Sequence, residues 1–272
     1  MVQRTGIPSM GILNLQGGEQ NFRLMRYSPA ETLKPFVLHY WTVSWDLKGL
    51  PPYDQHVVPN PCVNLVVERN RTAIYGPAKE KFSSRLSGKG CVFGVKFRPG
   101  GFYPFYRQPV SGWNGSPLPI HQALNINSDQ LEALILHQTS EEHMVTEMER
   151  ILINSMPGPD GMIERIHSII EQIKHDRSLT KVDELCETLS MNKRTLQRLF
   201  EQYVGVSPKW VIQLYRLQNA AERLEAALTA DWAGLSAELG YYDQSHFIKD
   251  FRTVIGQTPE EYVMGLQRKE GH

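Results

Sequence analysis

Residues 182–208 read VDELCETLSMNKRTLQRLFEQYVGVSP, and residues 232–259 read WAGLSAELGYYDQSHFIKDFRTVIGQTP. The two stretches are one pattern written twice. Val182, Leu185, Cys186 and Leu189 recur at the spacing that lays them along one face of a short helix. Ser190-Met191-Asn192 interrupts that helix, and Leu196, Leu199, Phe200 and Val204 mark the inward face of a second. Gly205 then suits a C-terminal cap, Ser207 an N-cap, and Pro208 the first position of the next helix. In the second copy Trp232, Leu235, Ser236 and Leu239 repeat the first face, and Gly240-Tyr241-Tyr242 forms the turn. Phe247, Phe251 and Ile255 repeat the second face, and Gly256 to Pro259 repeat the cap. The offset is 50 before the turn and 51 after it, so the second turn is one residue longer. Cys186 and Ser236 are matched small residues where two helices approach closely. Between the copies, Pro208–Leu228 reads as a single helix of about 20 residues, roughly 30 Å long. The repeat predicts an all-α C-terminal half of two helix-turn-helix units joined by a long helix.

A single helix, turn and helix occurs in many α-helical domains. Duplication with matched caps points further, because two recognition helices one turn of DNA apart is what two-site reading requires. The outward residues of the first copy fit that role. Lys193, Arg194, Gln197 and Arg198 are long donors, and Arg194 and Arg198 share one strip of the helix. Arg suits guanine and Gln suits adenine through paired hydrogen bonds. Asn192 and Thr195, near the helix start, are placed to hold a phosphate. The second copy offers Gln244, Ser245, His246 and Lys249, with Arg252 further along. Asp243 sits where an N-cap belongs, and Asp250 weakens the electrostatics of this face. The competing reading of both faces is a solvated polar surface.

The N-terminal half has a different texture. Phe36–Trp45, Cys62–Val67 and Cys91–Phe97 are rich in β-branched and aromatic residues, with Arg71–Tyr75 and Lys81–Leu86 as shorter candidate strands. Their spacing predicts a small β-barrel or sandwich. Helical periodicity follows at Leu131–Ile135 and Met144–Leu152, so the half is α+β. Pro157 to Gly161 reads as a linker, dividing the chain into residues 1–155 and 156–272.

Composition narrows the function classes. The chain has 272 residues with 29 basic and 29 acidic side chains, so global charge argues for no nucleic acid. Residues 1–155 carry 15 basic and 12 acidic side chains, and residues 156–272 carry 14 and 17. DNA binding must therefore rest on local cations. No run approaches the roughly 18 apolar residues of a membrane span, and the first 20 residues read as a loose lead-in without a secretion signal. The expectation is a cytoplasmic protein with no membrane partner. Three cysteines without a CxxC pair form neither a disulfide framework nor a zinc knuckle.

From Ser178 to Tyr262 the chain resembles the DNA-binding domain of the AraC/XylS family of bacterial transcription regulators. The residues carrying the resemblance are Leu185, Leu189, Arg194 to Phe200, Gly205 to Pro208, Arg216-Leu217, Ala220-Ala221, Leu224, Leu235, Leu239 to Phe247, Phe251, Arg252, Gly256, Thr258-Pro259 and Tyr262. The resemblance implies recognition helices in successive major grooves of double-stranded DNA. It assigns base contacts to Arg194, Gln197 and Arg198, and to Gln244, Ser245, His246 and Lys249. The N-terminal half looks like a divergent, cupin-like sensor domain of some family members, on Tyr40-Trp41, Trp45, His56 to Val66, Tyr75-Gly76 and Val95 to Phe102. A small-molecule effector, a homodimer surface and, for an activator, RNA polymerase are the partners this implies.

Tyr40, Trp41, Trp45, His56, Phe93 and Arg98 are the candidate effector contacts. Half of the aromatic residues would equally be core, and Arg98 would equally close the barrel with a salt bridge. No cofactor, metal site or catalytic residue is expected. His56 and Cys62 lack further ligands, and no GxSxG, HExxH, P-loop or Rossmann pattern occurs. Two alternatives remain open: a cupin-like enzyme with accessory helices, and a DNA-damage sensor in which Cys62 reacts.

Overall fold

The computed structural model describes residues 20–113, 115–227 and 232–270. Among the described residues the N-terminal half is built on seven antiparallel strands: β1 (Arg23–Tyr27), β2 (Val37–Leu47), β3 (Tyr53–Val57), β4 (Asn64–Val67), β5 (Ala73–Tyr75), β6 (Phe82–Leu86) and β7 (Gly88–Phe97). Five of them form a sheet in the order β1-β2-β7-β4-β5, and β3 and β6 form a two-stranded ribbon. The expected β-rich domain is therefore present. Its pairing leaves β1 and β5 as edges of the larger sheet among the described residues, and the ribbon packs over one face.

Strand alternation sorts the side chains. Tyr40 stands opposite Val95 and Tyr27, and Thr42 stands opposite Phe93. This face also carries Leu65, Val67, Ile74 and Phe97, all enclosed. It packs on α2 (Ser128–Leu136) and α3 (Glu141–Asn154) through Leu131, Ile135, Val145, Met148 and Leu152. Each large apolar side chain enclosed here stabilises by about 1.5–3 kcal/mol. Asn127 and Ser140 cap these two helices by accepting from Gln130 and His143 N–H. Toward β1 and the far end of β2, the opposite face is closed by the ribbon: Leu24, Val43, Trp45 and Tyr53 pack around Phe22, Leu47 and Leu86.

A short helix, α1 (Tyr103–Tyr106), follows β7. After the loop through Pro157, Asp160 caps α4 (Gly161–His175) by accepting from Met162 N–H. Ile163 of α4 belongs to the core of the N-terminal half, whereas Ile166, Ile169, Ile170 and Ile173 belong to the next core.

The rest is helical: α5 (Val182–Thr188), α6 (Lys193–Leu199), α7 (Pro208–Ala227), α8 (Trp232–Glu238), α9 (Gln244–Ile255) and α10 (Pro259–Glu270). The predicted end of α7 at Leu228 and the lead-in at residues 1–19 lie outside the described residues. One core gathers Leu185, Leu196, Phe200, Val204 and Val211, and another gathers Leu217, Leu235, Leu239, Phe247 and Phe251. α7 contributes to both.

The repeat holds at the level of single hydrogen bonds. Met191 N–H donates to Cys186 O at 2.9 Å, and Tyr241 N–H donates to Ser236 O at 3.0 Å. Ser190 (φ 48°) and Gly240 (φ 68°) take the left-handed position in each turn. The ends differ. Gly256 N–H closes an ordinary turn on Arg252 O, but Gly205 N–H reaches back five residues to Phe200 O at 2.8 Å. The first unit therefore ends in a π-helical turn over Phe200–Val204, which widens the helix end where it meets the N-terminal half.

Candidate nucleic-acid interface

Each recognition helix is started by a polar side chain just after its turn. The Asn192 amide oxygen accepts from Thr195 N–H at 2.8 Å, and an Asp243 carboxylate oxygen accepts from His246 N–H at 2.9 Å. That hydrogen bond pulls the Asp243 carboxyl below its ordinary range, with the His246 ring adding to it. The cap fixes where the exposed face of each helix points. Leu196 and Phe200 bury the other side of α6, and Phe247 and Phe251 that of α9.

The expected contact residues differ in what they already hold. Arg194 and Arg198 are exposed, and neither guanidinium takes a hydrogen-bond or ion-pair partner among the described residues. Lys193 pairs with Asp183 at 3.0 Å, and Gln197 donates to Glu201 at 3.0 Å. Asn192 spends its oxygen on the cap, and Thr195 is half-buried. On α9, Gln244, Ser245, Lys249 and Arg252 are exposed, and His246 lies 3.0 Å from its own cap, Asp243.

Asp250 has a structural role that the sequence did not show. Its carboxylate accepts from Gln213 Nε2 at 2.5 Å and from the Tyr241 hydroxyl at 3.0 Å. It thus joins α7, the second turn and α9, and it keeps its negative charge on the groove between the two units. Its partner Gln213 is 37 residues away.

Between the units runs a groove of about 810 Å³. Lys193 and Gln197 line it from α6, Lys209 and Arg216 from α7, and His246 from α9. The structure thus brings both recognition helices to one concave surface. Lys209 and Arg216 enter through α7; the sequence reading singled out neither as a contact and had Arg216 only among the residues that carry the resemblance.

The candidate effector residues are not brought together. Tyr40 and Phe93 lie in the α2–α3 core, a correction that follows from register, since both point to the apolar face. His56 is exposed on the ribbon, with Nδ1 2.8 Å from Ser83 Oγ. Arg98 Nε donates to Lys34 O at 2.8 Å, which ties the end of β7 to the chain before β2, and among the described residues Arg98 makes no salt bridge. Trp41 and Trp45 lie on the sheet's other face, together with His39 and Lys96, which the sequence reading did not single out. Cys62 is enclosed, and burial pushes its thiol up, which leaves little thiolate to react. Among the described residues no group of three His, Cys, Asp or Glu is placed to hold a metal ion, and no helix is long and apolar enough to cross a membrane.

The fold and groove define a two-unit helix-turn-helix DNA-binding domain. Residues 185–264 match a family described as a helix-turn-helix domain. Residues 25–119 match a domain of unknown function, DUF6597. The transcriptional activator NphR of Rhodococcus sp is 34% identical over 110 residues, 40% of this chain and 30% of that protein. The F1 operon positive regulatory protein of Yersinia pestis is 31% identical over 102 residues, 36% of this chain and 33% of that protein. An uncharacterised helix-turn-helix-type transcriptional regulator of Haemophilus influenzae is 30% identical over 95 residues, 35% of this chain and 30% of that protein. The chain thus spans about a third of the length of each of these relatives. A solved structure of ToxT from Vibrio cholerae aligns over 91% of this chain and 98% of its own, at 14% identity and a TM-score of 0.36.

Proposed function

We propose that the protein is a sequence-specific transcription regulator that reads two successive major grooves of double-stranded DNA with α6 and α9. The observation that carries this reading is the shared groove, which is lined by Lys193 and Gln197 of one unit and by His246 of the other. Arg194, Gln197 and Arg198 read bases from the first unit, and Gln244, Ser245, His246 and Lys249 from the second. Asn192, Lys193, Thr195 and Arg252 hold backbone phosphates. Residues 156–272 form the DNA-binding domain. Residues 1–155 form a sensor that binds a small effector and offers a surface for a second copy. The protein works in the cytoplasm without a catalytic step, and the two activators among its relatives favour contact with RNA polymerase.

Selection of bound sites from random duplex DNA by the full-length protein, at two salt concentrations, tests this. The expected result is enrichment of two short motifs about one helical turn apart. Enrichment of no motif at either salt, with and without cellular small-molecule extract, would sink the reading.

A further inference from the structure

Two rows of side chains cross the sheet on the face opposite α2 and α3. In one row, register sets His39 beside Lys96 and Lys96 beside Asn64. In the next, Arg26 stands beside Trp41 and Trp41 beside Gly94. Lys96 is 9% exposed, and its ammonium takes neither a hydrogen-bond nor an ion-pair partner among the described residues. His39 is 5% exposed, with Nδ1 unpartnered. Burial, together with the Lys96 and Arg26 charges, pushes the His39 imidazole down to about 3, so the ring is neutral. Burial also lowers the Lys96 ammonium, and no carboxylate is among the charges acting on it. A buried ammonium without a counter-charge is unfavourable unless something negative joins it.

The neighbouring surface is flat and aromatic. The Trp41 indole lies so close over Gly94 that a Cβ there would sit 2.0 Å from Trp41 Cε2. Its Nε1 takes no partner among the described residues. A metal cation is repelled by this cluster, and a bare inorganic anion leaves the indole unused.

We propose that this face of the sheet seats a small organic anion, its carboxylate or phosphate head on Lys96 beside Arg26 and His39, and its flat apolar body on Trp41. The inference rests on the effector-binding reading of the N-terminal half and names the class of effector.

Thermal unfolding and tryptophan fluorescence of the full-length protein test the site. The probes are benzoate, indole-3-acetate and phenyl phosphate, with indole-3-acetamide and inorganic phosphate as controls. At least one aryl anion is expected to raise the unfolding temperature and quench fluorescence, and neither control to do so. Lys96→Met should weaken the anion response about tenfold or more and raise the unfolding temperature of the free protein, because it removes an unbalanced charge. The proposal fails if no aryl anion acts, if the neutral amide acts as strongly as the acetate, or if Lys96→Met responds like the parent. A lower unfolding temperature for free Lys96→Met also overturns it, since the ammonium would then have a structural partner. Site selection with the same preparations keeps the two readings apart. Intact DNA binding without an anion response removes this site alone, whereas an anion response without DNA binding removes the regulator reading and keeps the site.

Discussion

The Arg216 guanidinium carbon lies 5.0 Å from the centroid of the Tyr241 ring, so α7 grips the turn of the second helix-turn-helix unit. Tyr241 in turn donates to Asp250, which also accepts from Gln213. These contacts set the orientation of α9 relative to α7. Arg216→Met keeps the apolar stem and removes the charge. It is expected to cost about 0.5–2 kcal/mol of stability, read from the urea midpoint. An unchanged midpoint would remove the stacking from the account of how the units are held.

Arg198 and Lys193 should respond differently. Arg198→Ala is expected to cost about 1–3 kcal/mol of specific binding and to relax preference at one base pair. Lys193→Ala, at a residue already paired to Asp183, should weaken binding to all sequences alike and reduce the salt slope by about 1. Competition with singly substituted sites at two salt concentrations distinguishes them. Unaltered base preference in Arg198→Ala would contradict the placement of α6.

Gly94 has no room for a methyl group beneath Trp41. Gly94→Ala should lift the indole from the sheet at a cost of about 1–3 kcal/mol, with a shift in tryptophan emission. Gly112, whose Cβ direction is open, provides the control substitution.

Stability should fall on mild acidification. In the unfolded chain His39 and His167 titrate near 6.5, but in the folded protein only at about 3 and about 4, chiefly because burial disfavours the charged ring. Between those values the unfolded chain binds more protons, so stability rises with pH. The contribution is present in full above 6.5 and is lost as pH falls through that window. Urea midpoints should therefore drop between about pH 7 and about pH 5, and His39→Gln should reduce the drop. Equal slopes for both proteins would show that His39 is accessible to protons in the folded state.

The helical half was legible because its information is local. The cap at Asp243, the turn at Gly240 and apolar faces of fixed period are each set by a few neighbouring residues, whereas Asn192, read as a phosphate holder, proves to be the cap of α6. The hydrogen bond from Gln213 to Asp250 was not legible, since Gln213 comes to it through the packing of α9 on α7. In the N-terminal half the strand segments were visible, but the face each residue takes depends on pairing between distant strands. That is why Tyr40 and Phe93 looked like pocket aromatics, and why Lys96, one residue along from the core side chain Val95, escaped notice. The π turn at Phe200–Val204 left no sequence signal at all; it sits where Tyr203 donates to Asp160 and Gln202 donates to Tyr103 across the junction.

Helix α4 has Ile163 set in the first core and Ile166 to Ile173 in the second, and the loop after β7 touches it where Gly100 approaches Ile166. A rod embedded in two solids cannot roll in one without turning in the other. The strand that carries Lys96 ends three residues before that contact with α4. A tilt of β7 therefore has a path to the first recognition unit, through the three residues Arg98 to Gly100 and then as leverage along a stiff bar.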